Sequence, residues 1–182
     1  MKLTIKFFSA LALVAFAFLA VSPSAQAQDK KMKSPAAEAN LNFSNGTAIN
    51  INYHSPAVRE RTVWGELVPF DKVWRTGANN ATTIKVTKDI MVEGKKLAAG
   101  TYSIFTIPSE DMWTVIFNSE AEQWGAGKYD ESKDVLRVQV AAEENEDMVE
   151  NMTFKMKMKN DEGVISLMWE HLIVAISIST KG

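Results

Sequence analysis

The chain has 182 residues, with 20 Lys and Arg against 22 Asp and Glu, and no cysteine. This near balance of charge argues against a nucleic-acid partner, because phosphate binding needs a basic face. The lack of cysteine excludes a lipoprotein anchor, a disulfide framework, a thiol nucleophile and a thiolate metal site.

At the start, Lys2 and Lys6 precede an almost wholly apolar run to Val21, and Ala25-Gln26-Ala27 places small residues where a signal peptidase reads. The run, about 15 residues, falls short of the roughly 20 that span a bilayer. Residues 1–27 therefore read as a cleaved secretory signal peptide. It sends the protein to the periplasm or the extracellular medium and leaves no stable membrane span. The remainder is long enough for a single domain with a real core. Residues 28–40 (QDKKMKSPAAEAN) hold almost no large apolar side chain and read as a flexible lead-in, with the folded domain expected over 41–182.

From Leu41 the pattern has the period of a strand. Leu41 and Phe43 alternate with Asn, Asn45-Gly46 signals a hairpin, and Ile49, Ile51 and Tyr53 return. Tyr53 to Thr83 is different: Trp64, Trp74, Arg59, Arg61 and Arg75 are packed with Pro and Gly into a run that is neither helical nor alternating. Strand patterns resume around Ile84 and Val86, and Ile90 to Leu97 turns at Glu93-Gly94. Then follow TYSIFTI up to Pro108, WTVIF at 113–117, and a polar loop from Ser119 to Lys133. Leu136, Val138 and Val140 share one strand face. The acidic run Glu143–Glu150 reads as a solvated turn or a short exposed helix.

Beyond it, Phe154, Met156 and Met158 oppose Lys155, Lys157 and Lys159 across a strand, and a turn at 160–163 follows. The last stretch breaks parity: Ile165, Leu167 and Trp169 lie on one face, Leu172, Val174, Ile176 and Ile178 on the other. A tight turn or bulge at Glu170-His171, dividing two strands, repairs this. The sum is an all-β fold of about 9–11 short antiparallel strands, in a β-sandwich or jelly-roll-like arrangement.

The chemistry on offer is narrow. With only His54 and His171, a three-His zinc site is impossible. No HExxH, His-x-His, GxSxG, P-loop or GxGxxG pattern occurs, so no metal and no cofactor is expected. Arg75, between Trp74 and Thr76-Gly77-Ala78-Asn79, offers a planar fork of donors suited to carboxylate or phosphate, with Trp74 placed to stack beside it. Asn79 adds amide donors and acceptors. Trp124, in the polar loop before Gly125-Ala126-Gly127, is suited either to a sugar, peptide or partner surface or to covering the open end of the fold. The competing role for Arg75 is a clamp on backbone carbonyls of its irregular segment. Trp64, Trp113 and Trp169 lie in apolar runs and read as core.

Several motifs resemble the bacterial domain of unknown function 2911. They are Tyr53-x-Ser55-Pro56, Arg61-x-Val63-Trp64-Gly65-x-Leu67-Val68-Pro69-Phe70 and Val73-Trp74-Arg75-Thr76-Gly77-Ala78-Asn79-x-Ala81-Thr82. The likeness continues through Lys96-Leu97-x-Ala99-Gly100-Thr101-Tyr102-Ser103, Phe105-Thr106-Ile107-Pro108 and Trp113 to Asn118. It then takes in Gln123-Trp124-Gly125, Tyr129-Asp130 and Trp169-Glu170. Glu66, where a glycine is expected, and His171 depart from the pattern. The resemblance implies bacterial export and a β-rich fold, but no activity, substrate or cofactor. It directs attention to Arg75 and Asn79. The reading that results is a non-enzymatic binding module, with Trp74, Arg75, Asn79 and Trp124 around one small site for a polar, anionic or carbohydrate-like ligand or an envelope component. A hydrolase using a His–carboxylate pair and a purely structural envelope protein are the alternatives.

Overall fold

The computed structural model describes residues 33–159 and 162–181. The expected signal peptide, the first part of the lead-in and two residues of the turn at 160–163 lie outside them. Among the described residues nine strands form one antiparallel sheet: β1 (Ala36–Asn42), β2 (Ala48–His54), β3 (Thr82–Val86), β4 (Ile90–Val92), β5 (Lys95–Leu97), β6 (Gly100–Ile107), β7 (Met112–Asn118), β8 (Asp134–Lys159) and β9 (Glu162–Ser179). Their order is β1-β2-β3-β6-β7-β8-β9-β4-β5.

The all-β antiparallel expectation holds. The expectation of short strands is corrected by β8, which runs for 26 residues. Its first part pairs with β7, from Asn118↔Asp134 to Met112↔Ala141, and its remainder with β9, from Ala142↔Val174 to Lys159↔Glu162. Hydrogen bonding is therefore continuous across the molecule. The sheet folds back at β8, so that strands distant in the order share a core. Tyr53 of β2 meets Phe154 of β8 edge-on, with ring centroids 5.0 Å apart. Leu41, Ile49, Ile51, Ile84, Val115, Ile165, Leu167 and Val174 belong to one buried cluster.

β1 begins at Ala36, ahead of the boundary read at Leu41. Ala37 and Ala39 are half-buried and alternate with exposed neighbours, but alanine is too weak a strand signal to stand out in a lysine-rich stretch. At Glu93-Gly94 both residues have positive φ (47° and 72°), as a two-residue hairpin turn requires.

The acidic run is neither turn nor helix. Glu143–Glu150 lies inside β8, whose register against β9 shifts between Glu144 and Val149 and again between Val149 and Thr153. The parity break in β9 is met by a bulge rather than a division into two strands. Glu170 takes φ 56°, and the buried side changes from Ile165, Leu167 and Trp169 to Val174, Ile176 and Ile178 within one strand. In β6 the residues Ser103 to Thr106 are buried on both faces. The core lies on one side. On the other, Phe105 and Ile116 pack with Ala81, Val73, Ala126 and Tyr129 from the irregular segment and the polar loop.

Gly163, at the start of β9, packs tightly against Leu41 and Phe43. A Cβ there would stand 2.6 Å from Leu41 Cδ2 and 2.9 Å from Phe43 Cζ. Gly163→Ala is expected to destabilise by about 1–3 kcal/mol through overpacking. At roughly 2–4 °C per kcal/mol for a domain of this size, thermal unfolding should show a midpoint several degrees lower.

Candidate functional site

Residues 55–81 join β2 to β3 without forming a strand, so their backbone groups need other partners. β8 supplies some: Val58 N donates to Glu150 O at 2.8 Å, Met152 N to Pro56 O at 2.9 Å, and Ser55 Oγ to Met152 O at 2.7 Å. This explains the second register shift, since residues 150–152 pair with the irregular segment in place of β9. β6 supplies others, through reciprocal bonds between Trp74 and Thr106 of 2.8 and 2.9 Å.

Indole packing completes the attachment. Trp64 and Trp74 from this segment meet Trp113 of β7 and Trp169 of β9. Trp64 lies edge-on to Trp113 at 5.0 Å and to Trp169 at 5.6 Å, while Trp74 stacks on Trp169 at 5.9 Å and 20°. Each such pair contributes about 0.5–1.5 kcal/mol beyond its area burial. That offsets a strained backbone: Arg59, Glu60, Asp71, Thr76 and Asn79 all have φ between 50° and 57°. Thr76, the β-branched member, is held by its Oγ1 donating to Thr106 Oγ1 at 3.2 Å and by Thr82 Oγ1 donating to its carbonyl at 2.6 Å. Gly77 leaves room for this, because a Cβ there would lie 3.1 Å from both His54 O and Thr82 Oγ1.

The segment folds around a cavity of about 310 Å³. Trp74, Pro56, Leu67 and Val68 form its apolar wall, and Lys33, Arg59, Arg61, Arg75, Ser34 and Asn79 its polar one. Among the described residues, four cationic side chains and no carboxylate line it. None of the four makes an ion pair among the described residues.

The arginines differ in what they do. Arg61 is the backbone clamp, its Nε donating to Val58 O at 3.0 Å and its Nη2 to Ala57 O at 2.6 Å. Arg59 Nη2 donates to Lys33 O at 2.7 Å. Arg75 makes no side-chain hydrogen bond among the described residues, and its Nε is buried without a partner. Arg75 is half-buried, and burial pushes its guanidinium below the ordinary arginine value. Asn79 Nδ2 reaches Ser34 O at a long 3.4 Å.

Of the residues singled out from sequence, Trp74, Arg75 and Asn79 line this one cavity. Trp74 does so from within the indole cluster, 8% exposed, with Nε1 donating to Gly77 O at 3.1 Å. Trp124 is not part of its lining. It is 68% exposed and borders a second cavity of about 390 Å³ with Glu120, Glu122, Gln123, Lys128, Asp130 and Lys133. Lys33, Arg59 and Arg61 were missed as lining residues. Two Arg flanking the same irregular run as Arg75 were the available signal, and Lys33 had none. The His–carboxylate pair that a hydrolase would use does not form among the described residues. His54 is half-buried with no side-chain hydrogen bond, and exposed His171 meets Asn145 O through Nδ1 at 3.2 Å.

Beside the second cavity, Tyr129 Oη donates to Asp134 Oδ2 at 2.6 Å and accepts from Arg137 Nη2 at 2.7 Å. Arg137 also pairs with Asp134 at 2.7 Å and Glu131 at 3.1 Å. Burial first, and then the bond to the Asp134 carboxylate, push the Tyr129 phenol from 10.0 up to about 12.

The fold and these cavities define an all-β domain whose chemistry-bearing side chains sit outside the strands, in the linking segment and the polar loop. The family described as "Protein of unknown function (DUF2911)" matches residues 34–178, and the chain belongs to it. No curated protein and no solved structure matches the chain.

Three outcomes follow from this geometry. Arg61→Ala should lower stability by about 1 kcal/mol, the net worth of its carbonyl bonds. Arg75→Met should leave the thermal midpoint unchanged or raise it, because it removes a buried donor that nothing satisfies. For Tyr129, the raised phenol value means that the folded state favours the neutral form. The stabilisation is complete below pH 10 and is lost as pH rises from 10 towards 12. Phenolate absorbance should show a late step near pH 12 that is missing in Tyr129→Phe.

Proposed function

We propose that the protein is an exported binding module for a small organic anion, taken up in the cavity around Arg75. The observation that carries this reading is the buried Nε of Arg75, which has no partner among the described residues, on a cavity whose described lining holds four cationic residues and no carboxylate. A half-buried guanidinium whose Nε is desolvated, with no counter-charge among the described residues, is unfavourable for folding alone. An oxyanion supplies the missing acceptors, and the planar fork holds carboxylate or phosphate through two parallel bonds. Asn79 fixes orientation through its amide. The apolar wall of Trp74, Leu67 and Val68 favours an anion that carries a short carbon body over a bare inorganic ion. About 310 Å³ lies at the small end of ligand pockets, in keeping with a short carboxylate or phosphate ester.

Calorimetric titration with succinate and with inorganic phosphate tests the reading. Binding of either at low ionic strength should weaken as salt rises and fall at least about tenfold in Arg75→Ala, a loss of about 1.4 kcal/mol. At a hundredfold excess over Kd the bound anion should stabilise the fold by about 2.7 kcal/mol in thermal unfolding. No binding of either probe, or equal binding by Arg75→Ala, would remove the proposal.

A further inference from the structure

We propose that the protein has a second and separate ligand site, built on Trp124, that takes a neutral saccharide. Of the five tryptophans, Trp74, Trp113 and Trp169 are buried and Trp64 is half-buried against them, whereas Trp124 is 68% exposed. Single exposed apolar residues are ordinary. What distinguishes this one is the rigidity of the backbone that carries it. Ala81 N donates to Gln123 O at 2.9 Å, Trp124 bridges to Asn80, and Gly125 N donates to Asn79 O at 3.1 Å. Gln123, 7% exposed, anchors the loop from below. Its Nε2 donates to Glu120 O at 2.8 Å and to Asn118 Oδ1 at 3.3 Å, while its Oε1 is buried without a partner. The indole is thus held in place by a fixed frame rather than left on a loose tip, the preorganisation a binding platform requires.

The surroundings select the ligand. Glu120, Glu122 and Asp130 line the cavity with Lys128 and Lys133. No ion pair ties any of these five among the described residues. Charges of both signs nearly cancel, in contrast to the purely cationic cavity around Arg75. A strongly anionic ligand meets three carboxylates, and a cation meets two ammonium groups. A pyranose ring suits the arrangement: its C–H face covers the indole, its hydroxyls donate to the carboxylates, and its oxygens accept from the lysines.

The test uses the whole protein with cellotetraose and chitotetraose as probes, followed by calorimetry and by acrylamide quenching of tryptophan emission. One of the two should bind and shield Trp124, the most exposed indole, from the quencher. Trp124→Ala should lower affinity by at least about tenfold, while an exposed side chain's removal leaves the unfolding midpoint nearly unchanged. Arg75→Ala should bind the saccharide as the wild type does, which separates this site from the anion cavity. The proposal is overturned if neither probe binds at about 10 mM, if Trp124→Ala binds equally well, or if tetramethylammonium binds where the sugars do not.

Discussion

Contact among four indoles is the constraint on which the functional part of this molecule rests. Trp113 and Trp169 stand on strands of the sheet, whereas Trp64 and Trp74 stand on a segment with no ladder of its own. Packing the second pair against the first attaches that segment at two points in sequence, 64 and 74, and leaves the chain between and beyond them to curve around a cavity. Edge-on geometry dominates, as the ring quadrupoles favour, with Trp74 and Trp169 stacked. Trp74 is both a member of the cluster and a wall of the cavity, so core packing and site geometry cannot vary independently at that residue.

The same stretch of chain also separates two different chemical environments. On one side of Asn79 lie Arg75 and the other cations. On the other, the Asn79 carbonyl and the Asn80 backbone hold the loop that carries Trp124. Their proximity in the backbone does not merge the two cavities. One concentrates positive charge over an apolar wall, and the other balances charges of both signs beside an exposed ring. Neighbouring arginines likewise differ: Arg61 satisfies the turn, and the Arg75 Nε is left without a partner among the described residues.

Much of the sheet was legible in the sequence, because alternation leaves a mark wherever the side chains are large. The face of Phe154 and Met156 opposite Lys155 and Lys157, and the parity break near Glu170, both read directly onto the structure. β1 was missed where alanines carried the pattern. The inner length of β8 was missed because its acidic residues are strand only by pairing, first with β9 and then with residues 56–58. At the site, Arg75 and Asn79 could be singled out by residue type within an irregular run. Their relation to Trp124 could not, because nothing in composition says which of two loops faces which cavity. Lys33 joins the lining through chain geometry alone.

The long pairing of β8 with β9 has a consequence for the order of assembly. The two strands adjoin in sequence, so closing them costs little loop entropy, and β7 adds to the same nucleus from nearby. The irregular segment has no such local route. Its partners at Glu150, Met152, Trp113 and Trp169 are distant in the chain, and its left-handed residues gain nothing until those partners are in place. The cavity is therefore the last part of the domain to take shape and the first to be released when the fold loosens.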